Sequence, residues 1–177
     1  MKLMPTHTNV SSKIYVLSIS AALIAVAMVF SYIENLIPLP VPIPGIKLGF
    51  ANIVIIIALY VIGPKSAIVI NLARILLTGL MFSGVSAMFY ALAGGILSVI
   101  VMIILKQIKV FSIFGVSVGG ASAHILGQIL LASVVIQNSS ILMLLPFLLI
   151  SAVISGIIVG FISYMLQKNI SYKKHVA

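Results

Sequence analysis

The feature that most limits this chain is a succession of apolar runs, each near 20 residues, separated by short turn sequences. A bilayer core of about 30 Å is crossed by about 20 apolar residues in helical form. In hydrocarbon the backbone N–H and C=O groups must be satisfied inside the segment, so such runs read as helices. Six runs fit, at about 14–33, 48–62, 65–82, 85–105, 112–136 and 141–167. The breaks carry turn chemistry: Gly63-Pro64, Ser83-Gly84 and Gln137-Asn138-Ser139-Ser140. Pro146 falls in the first turns of the sixth run, where a missing N–H is tolerated. The first run is too long for a signal-peptide core and five more follow it. The expected architecture is an all-α integral membrane bundle of six transmembrane helices, one domain over 1–177. Short tails are expected at 1–13 and 168–177, and an outer loop at 34–47.

Composition narrows the chemistry. The chain is 63% hydrophobic and 6% charged, where a soluble domain carries about 25% charged residues. A soluble enzyme, a disordered segment and a disulfide scaffold are excluded. The single acidic residue is Glu34, and cysteine is absent. Paired-carboxylate catalysis and cysteine- or carboxylate-rich metal sites are therefore excluded within one copy, and no cofactor or metal is expected. The net charge of +9 does not point to nucleic acid, because the basic residues mark the ends of apolar runs and form no aromatic-laced patch. With both termini on one side, Lys2, Lys13, Lys65, Lys106, Lys109, Lys168, Lys173 and Lys174 share that side. Lys47 falls on the other, and Arg74 lies inside a span. That asymmetry predicts cytoplasmic termini. Gly63-Pro64-Lys65-Ser66 is not a phosphate loop: Ala58 stands where its first glycine belongs, and no strand precedes it.

Polarity breaks the pattern at a few places. Pro38, Pro40, Pro42 and Pro44 alternate with Leu39, Val41, Ile43 and Gly45, which stiffens an extended segment. The run after it is short, about 22 Å at 1.5 Å per residue. A stiff loop before a short helix predicts a loop that dips inward over a cavity; a rigid outer connection is the alternative. Arg74 lies near the middle of the third run, where a cation costs about 2.5–3.5 kcal/mol. Glu34 is assigned to the outer surface, so no acid is expected at Arg74's depth. Arg74 then needs carbonyls, water, a partner chain or an anionic ligand, and Asn71 and Thr78 can share its face. Backbone carbonyls or snorkelling are the alternative. In the fifth run Gly115, Gly119, Ala123 and Gly127 form a small-residue stripe, and Gly120, His124 and Gln128 a second row. His124, Gln128 and Asn52 read either as ligand contacts or as interhelical hydrogen bonds. Ala21 and Ala25 make a small face on the first run, for packing inside or outside the chain. Ala152, Gly156 and Gly160 read as internal packing.

At Pro44-Gly45-Ile46-Lys47-Leu48-Gly49-Phe50-Ala51-Asn52 and Ala123-His124-Ile125-Leu126-Gly127-Gln128 the chain resembles the membrane proteins labelled heptaprenyl diphosphate synthase component I, also called the Gx transporter family. The resemblance runs from the first helix to the sixth. That family in turn resembles the substrate-binding S-components of energy-coupling factor (ECF) transporters. The resemblance implies capture of a small organic micronutrient from outside, under a lid between the first two helices. It also implies docking through an Ala-x-x-x-Ala face to a transmembrane coupling protein that carries two ATPases, in a bacterial cytoplasmic membrane. Ala21 and Ala25 match the docking motif. The lid carries over to Glu34, Pro40, Pro42, Pro44, Gly45 and Lys47. On this reading Asn52, Asn71, Arg74, His124 and Gln128 contact substrate, with Arg74 attracting a phosphate or carboxylate. The synthase label fits an enzyme poorly, since such synthases hold magnesium with aspartate-rich motifs and this chain has no aspartate. No catalytic residue is expected. The label points to isoprenoid, quinone or flavin metabolism. The competing reading is a non-catalytic membrane subunit associated with heptaprenyl diphosphate or quinone synthesis, or with extracellular electron transfer. A stand-alone carrier is disfavoured by the lone acid and the lack of inverted repeats.

Overall fold

A computed structural model describes residues 7–37, 49–108 and 110–176, with side chains from 13 to 168 within those segments. The described residues form six α-helices and no strand: α1 (His7–Leu36), α2 (Asn52–Val61), α3 (Pro64–Thr78), α4 (Val85–Gln107), α5 (Ile113–Ile136) and α6 (Leu145–Val176). Five segments are long and apolar enough to cross a bilayer: Lys13–Leu36, Pro64–Ser83, Val85–Gln107, Ile113–Ile136 and Ser139–Lys168. The chain is a helical membrane protein. Helix α1 begins at His7 and α6 runs to Val176, so both reach into the stretches expected as tails.

The second run departs from expectation. It yields a helix of 10 residues, about 15 Å long at 1.5 Å per residue, which cannot cross alone. Its start is set by Gly49, whose φ of +87° turns the chain, and by turn bonds from Asn52 N to Gly49 O and from Ile53 N to Phe50 O. Its end is set by Gly63, at φ +125°, followed by Pro64. Because α2 is apolar on nearly every side, it is stable only when enclosed. Asn52, Ile53, Val54, Ile55, Ile56, Ala58 and Leu59 are all buried. Helices α1, α3, α4, α5 and α6 all contact it. Its Ile53–Leu59 stretch meets Ile70, Met102 and Val116 in the larger of two apolar cores. Lys106 closes its C-terminal end: Nζ donates to Leu59 O at 2.7 Å and lies 4.7 Å over the Tyr60 ring.

The other seams are made by small residues. A Cβ on Gly127 would lie 2.6 Å from Ala93 O, so α5 sits on the α4 backbone. A Cβ on Gly156 would lie 2.8 Å from Val118 Cα, and one on Gly160 3.1 Å from Phe114 Cα. With Ala152 fully buried, the row on α6 is internal packing, as expected. Helix α3 ends in a π-helical turn, Gly79–Ser83, and Gly84 (φ +82°) starts α4. A 3-10 turn, Ser139–Leu144, leads into α6, with Pro146 in the first turn of that helix.

Candidate functional site

Arg74 is 5% exposed, on the face of α3 turned toward α1 and α4. Its Nη2 donates to Asn71 Oδ1 at 2.8 Å, and its Nη1 donates to Ser31 Oγ on α1 at 3.2 Å. Asn71 is oriented in turn by α4, since its Nδ2 donates to Gly95 O at 2.9 Å. That bond uses the amide's donor side and turns its oxygen to the arginine. Both terminal nitrogens of the guanidinium therefore bond side chains, and Arg74 is neither snorkelling nor capped by main-chain oxygens. Thr78 stays out of the cluster. Its hydroxyl donates to Arg74 O and Ile75 O in its own helix, at 2.8 and 3.2 Å.

The expectation that no acid reaches this depth is corrected. Helix α1 runs to Leu36, and Glu34 lies one turn beyond Ser31 on the same face. It is buried and within electrostatic reach of Arg74. Its Oε1 also accepts from Gly49 N at 2.5 Å and from Phe50 N at 2.6 Å. One carboxylate thus joins the end of α1 to the chain just before α2, one turn from the serine that Arg74 bonds. Of the expected lid, Glu34 is this latch. Pro40, Pro42, Pro44, Gly45 and Lys47 lie outside the described residues.

The other half of the cluster starts from Gly49. A Cβ there would lie 2.9 Å from Asn52 Nδ2 and 4.0 Å from His124 Cδ2. His124 and Gln128, one turn apart on α5, are both buried. They pack on Gly94, where a Cβ would lie 2.8 Å from Gln128 Cγ and 3.2 Å from His124 Cε1. The next residue, Gly95, faces the Asn71 amide, 3.0 Å from a Cβ placed there. The glycine pair lets α4 carry Asn71 on one side and His124 with Gln128 on the other. The five expected contact residues are therefore joined in one chain of neighbours. The circuit runs Glu34, Gly49, Asn52, His124 with Gln128, Gly94-Gly95, Asn71, Arg74, Ser31 and back to Glu34.

Ser31, Gly94, Gly95 and Ser98 were not singled out from the sequence. A signal for the pair existed: two glycines inside a helical run cost about 1 kcal/mol each against alanine, so a packing reason was due. Buried polar atoms without a hydrogen-bond partner among the described residues include Asn52 Nδ2, Arg74 Nε and Ser98 Oγ, and Ser163 Oγ on α6. A buried unsatisfied group costs about 1–3 kcal/mol. Asn52 Nδ2 and Arg74 Nε can only donate, so what would satisfy them is an acceptor. Among the described residues there is no group of three or more His, Cys, Asp or Glu side chains that could hold a metal ion.

On the opposite surface of α1, Ala21 and Ala25 are exposed while Ala27 faces inward, fully buried. Intramolecular packing does not use that small face. A family model described as heptaprenyl diphosphate synthase component I matches residues 23–166, which takes in the whole polar circuit and Ala25 but begins after Ala21. No curated protein and no solved structure matches the chain.

Proposed function

The chain belongs to the heptaprenyl diphosphate synthase component I family, and from that premise we propose that it is a non-catalytic, substrate-binding membrane subunit of an ECF-type importer. The guest is a small organic compound rich in hydrogen-bond acceptors. It is received by Arg74, Asn71, Asn52, His124 and Gln128. The observation that carries this reading is the linkage of those five side chains in one chain of neighbours, with the Asn52 amide and the Arg74 Nε as open donors. Glu34 already offsets the arginine's charge, so the guest need not be a dianion: a carbonyl, carboxylate or phosphate oxygen each satisfies the donors. The Glu34 carboxylate holds Gly49 and Phe50, just before α2, next to the same arginine. A coupling protein docks on the Ala21–Ala25 face, and ATP is hydrolysed on its two ATPase subunits in the cytoplasmic membrane.

Reconstitution of the full chain with a coupling protein and ATPases tests this, with flavins, quinone precursors and isoprenyl phosphates as candidate guests. ATP-dependent uptake of one of them is expected. Arg74→Met should abolish binding. Ala21→Trp with Ala25→Trp should abolish uptake while leaving binding by the isolated chain intact. Uptake unchanged in the tryptophan variant refutes the docking reading. A second reading is favoured by the family's own description: a membrane subunit that accompanies a separate prenyl diphosphate-forming enzyme. It predicts co-purification with that enzyme and no guest retained at Arg74.

A further inference from the structure

Away from the polar circuit, a groove of about 460 Å³ lies between α1 and the first turns of α3. Its α1 wall is one helical face, with Lys13, Val16, Leu17 and Ser20 at spacings of three, four and seven. Its α3 wall is Lys65 and Ser66 in the first turn and Val69 one turn deeper. Because α2 runs back between them, α1 and α3 start at the same end of the bundle. Lys13 and Lys65 therefore stand at one level, and the apolar side chains lie below them. This is a graded groove, cationic and hydroxylated at its mouth and apolar along its length.

Among the described residues no acidic side chain lies near either lysine. Glu34, the only acid, lies toward the far end of α1, 21 residues beyond Lys13 and so about 31 Å away. The α3 N-terminus adds to the positive field, since Gly63 offers no side chain to cap it. A free phosphate would use the mouth alone. Leu17 and Val69, 70% and 61% exposed, extend the groove with surface that suits an acyl chain. The mouth is also at the end where the sequence places most of its lysines, the end that faces anionic lipid in a cytoplasmic leaflet.

We propose that this groove holds one anionic phospholipid, its phosphate between Lys13, Lys65 and the Ser66 hydroxyl and one acyl chain along Val16, Leu17 and Val69. The site is independent of the guest-binding reading. Lys65 precedes Arg74 by nine residues, about 13 Å along α3.

Native mass spectrometry of the full chain in mild detergent tests it, with phosphatidylglycerol, phosphatidylcholine and glycerol 3-phosphate titrated separately. One retained phosphatidylglycerol is expected, with weaker phosphatidylcholine and no glycerol 3-phosphate adduct. Lys13→Gln with Lys65→Gln should weaken phosphatidylglycerol retention by about tenfold or more. Lys168→Gln, at another exposed lysine, should not change it. Val69→Trp keeps the charges but fills the apolar half, and should weaken retention too. It also decides the matter if the double lysine variant does not fold. Retention unchanged in Val69→Trp or in the double variant overturns the proposal. So does an equal loss in Lys168→Gln, or glycerol 3-phosphate binding as tightly as the lipid.

Discussion

Replacing Glu34 by glutamine tests whether one carboxylate holds both the start of α2 and the arginine. The amide oxygen can still accept from Gly49 N and Phe50 N, which now lie 2.5 and 2.6 Å from the carboxylate. What is lost is charge. A bond to an ionised acceptor contributes about 1.5–3 kcal/mol and a neutral one about 0.5–1.5, so two such bonds lose about 2 kcal/mol together. That is about a 30-fold shift in the folded-to-unfolded ratio. Glu34→Ala should cost more, because it strands two backbone donors at about 1–3 kcal/mol each. Glu34 also compensates Arg74, so the two positions should couple. The variant Glu34→Gln with Arg74→Met should be less destabilised than the sum of the singles, by about 0.5–3 kcal/mol. The assay is reversible unfolding in mixed micelles, followed by helical circular dichroism across the four proteins of the cycle. A Glu34→Gln protein as stable as the parent would refute the latch. Additivity within about 0.3–0.5 kcal/mol would refute the pairing with Arg74.

Two further outcomes separate site from scaffold. Gly94→Ala places a Cβ 2.6 Å from His124 O, a backbone atom that cannot swing aside; thermal unfolding should show a loss of about 1–3 kcal/mol along with weakened guest binding. Gly95→Ala meets the flexible end of Ile75 and the Asn71 amide, so its stability should change little while guest binding weakens through a displaced Asn71; equal stability losses in the two variants would contradict this. Lys106→Met removes the bond to Leu59 O and the contact with the Tyr60 ring; the same unfolding assay should report a loss of about 1–2 kcal/mol, and guest affinity should not move.

The legible parts of this protein are those in which one residue carries its own reason. An arginine, two asparagines, a histidine and a glutamine inside apolar runs are conspicuous, since each needs a partner in hydrocarbon wherever the helices lie. Arg74, Asn71, Asn52, His124 and Gln128 could be named for that reason alone. Their partners could not. Ser31 is an ordinary residue of α1 until the rotation and depth of that helix bring it 3.2 Å from Arg74 Nη1. From the sequence alone Glu34 falls at the outer surface, just past the end of the first run. Three further residues of α1, and a chain that returns at Gly49, carry it inside.

The chain's apolar periodicity and turn residues, read without coordinates, determined an all-helical membrane protein. They placed the ends of α3, α4 and α5 within a few residues, because glycine, proline and serine punctuate helices locally. The same information misjudged α2, since apolarity continues through residues 48–51 and a buried helix looks like a spanning one. Tertiary structure decided that α2 is an enclosed core helix, that Ala21 and Ala25 face outward while Ala152, Gly156 and Gly160 face inward, and that five scattered polar residues form one circuit. Those outcomes depend on how far each helix is rotated and slid against its neighbours. Small-residue contacts between helices set that geometry, and no single segment contains it.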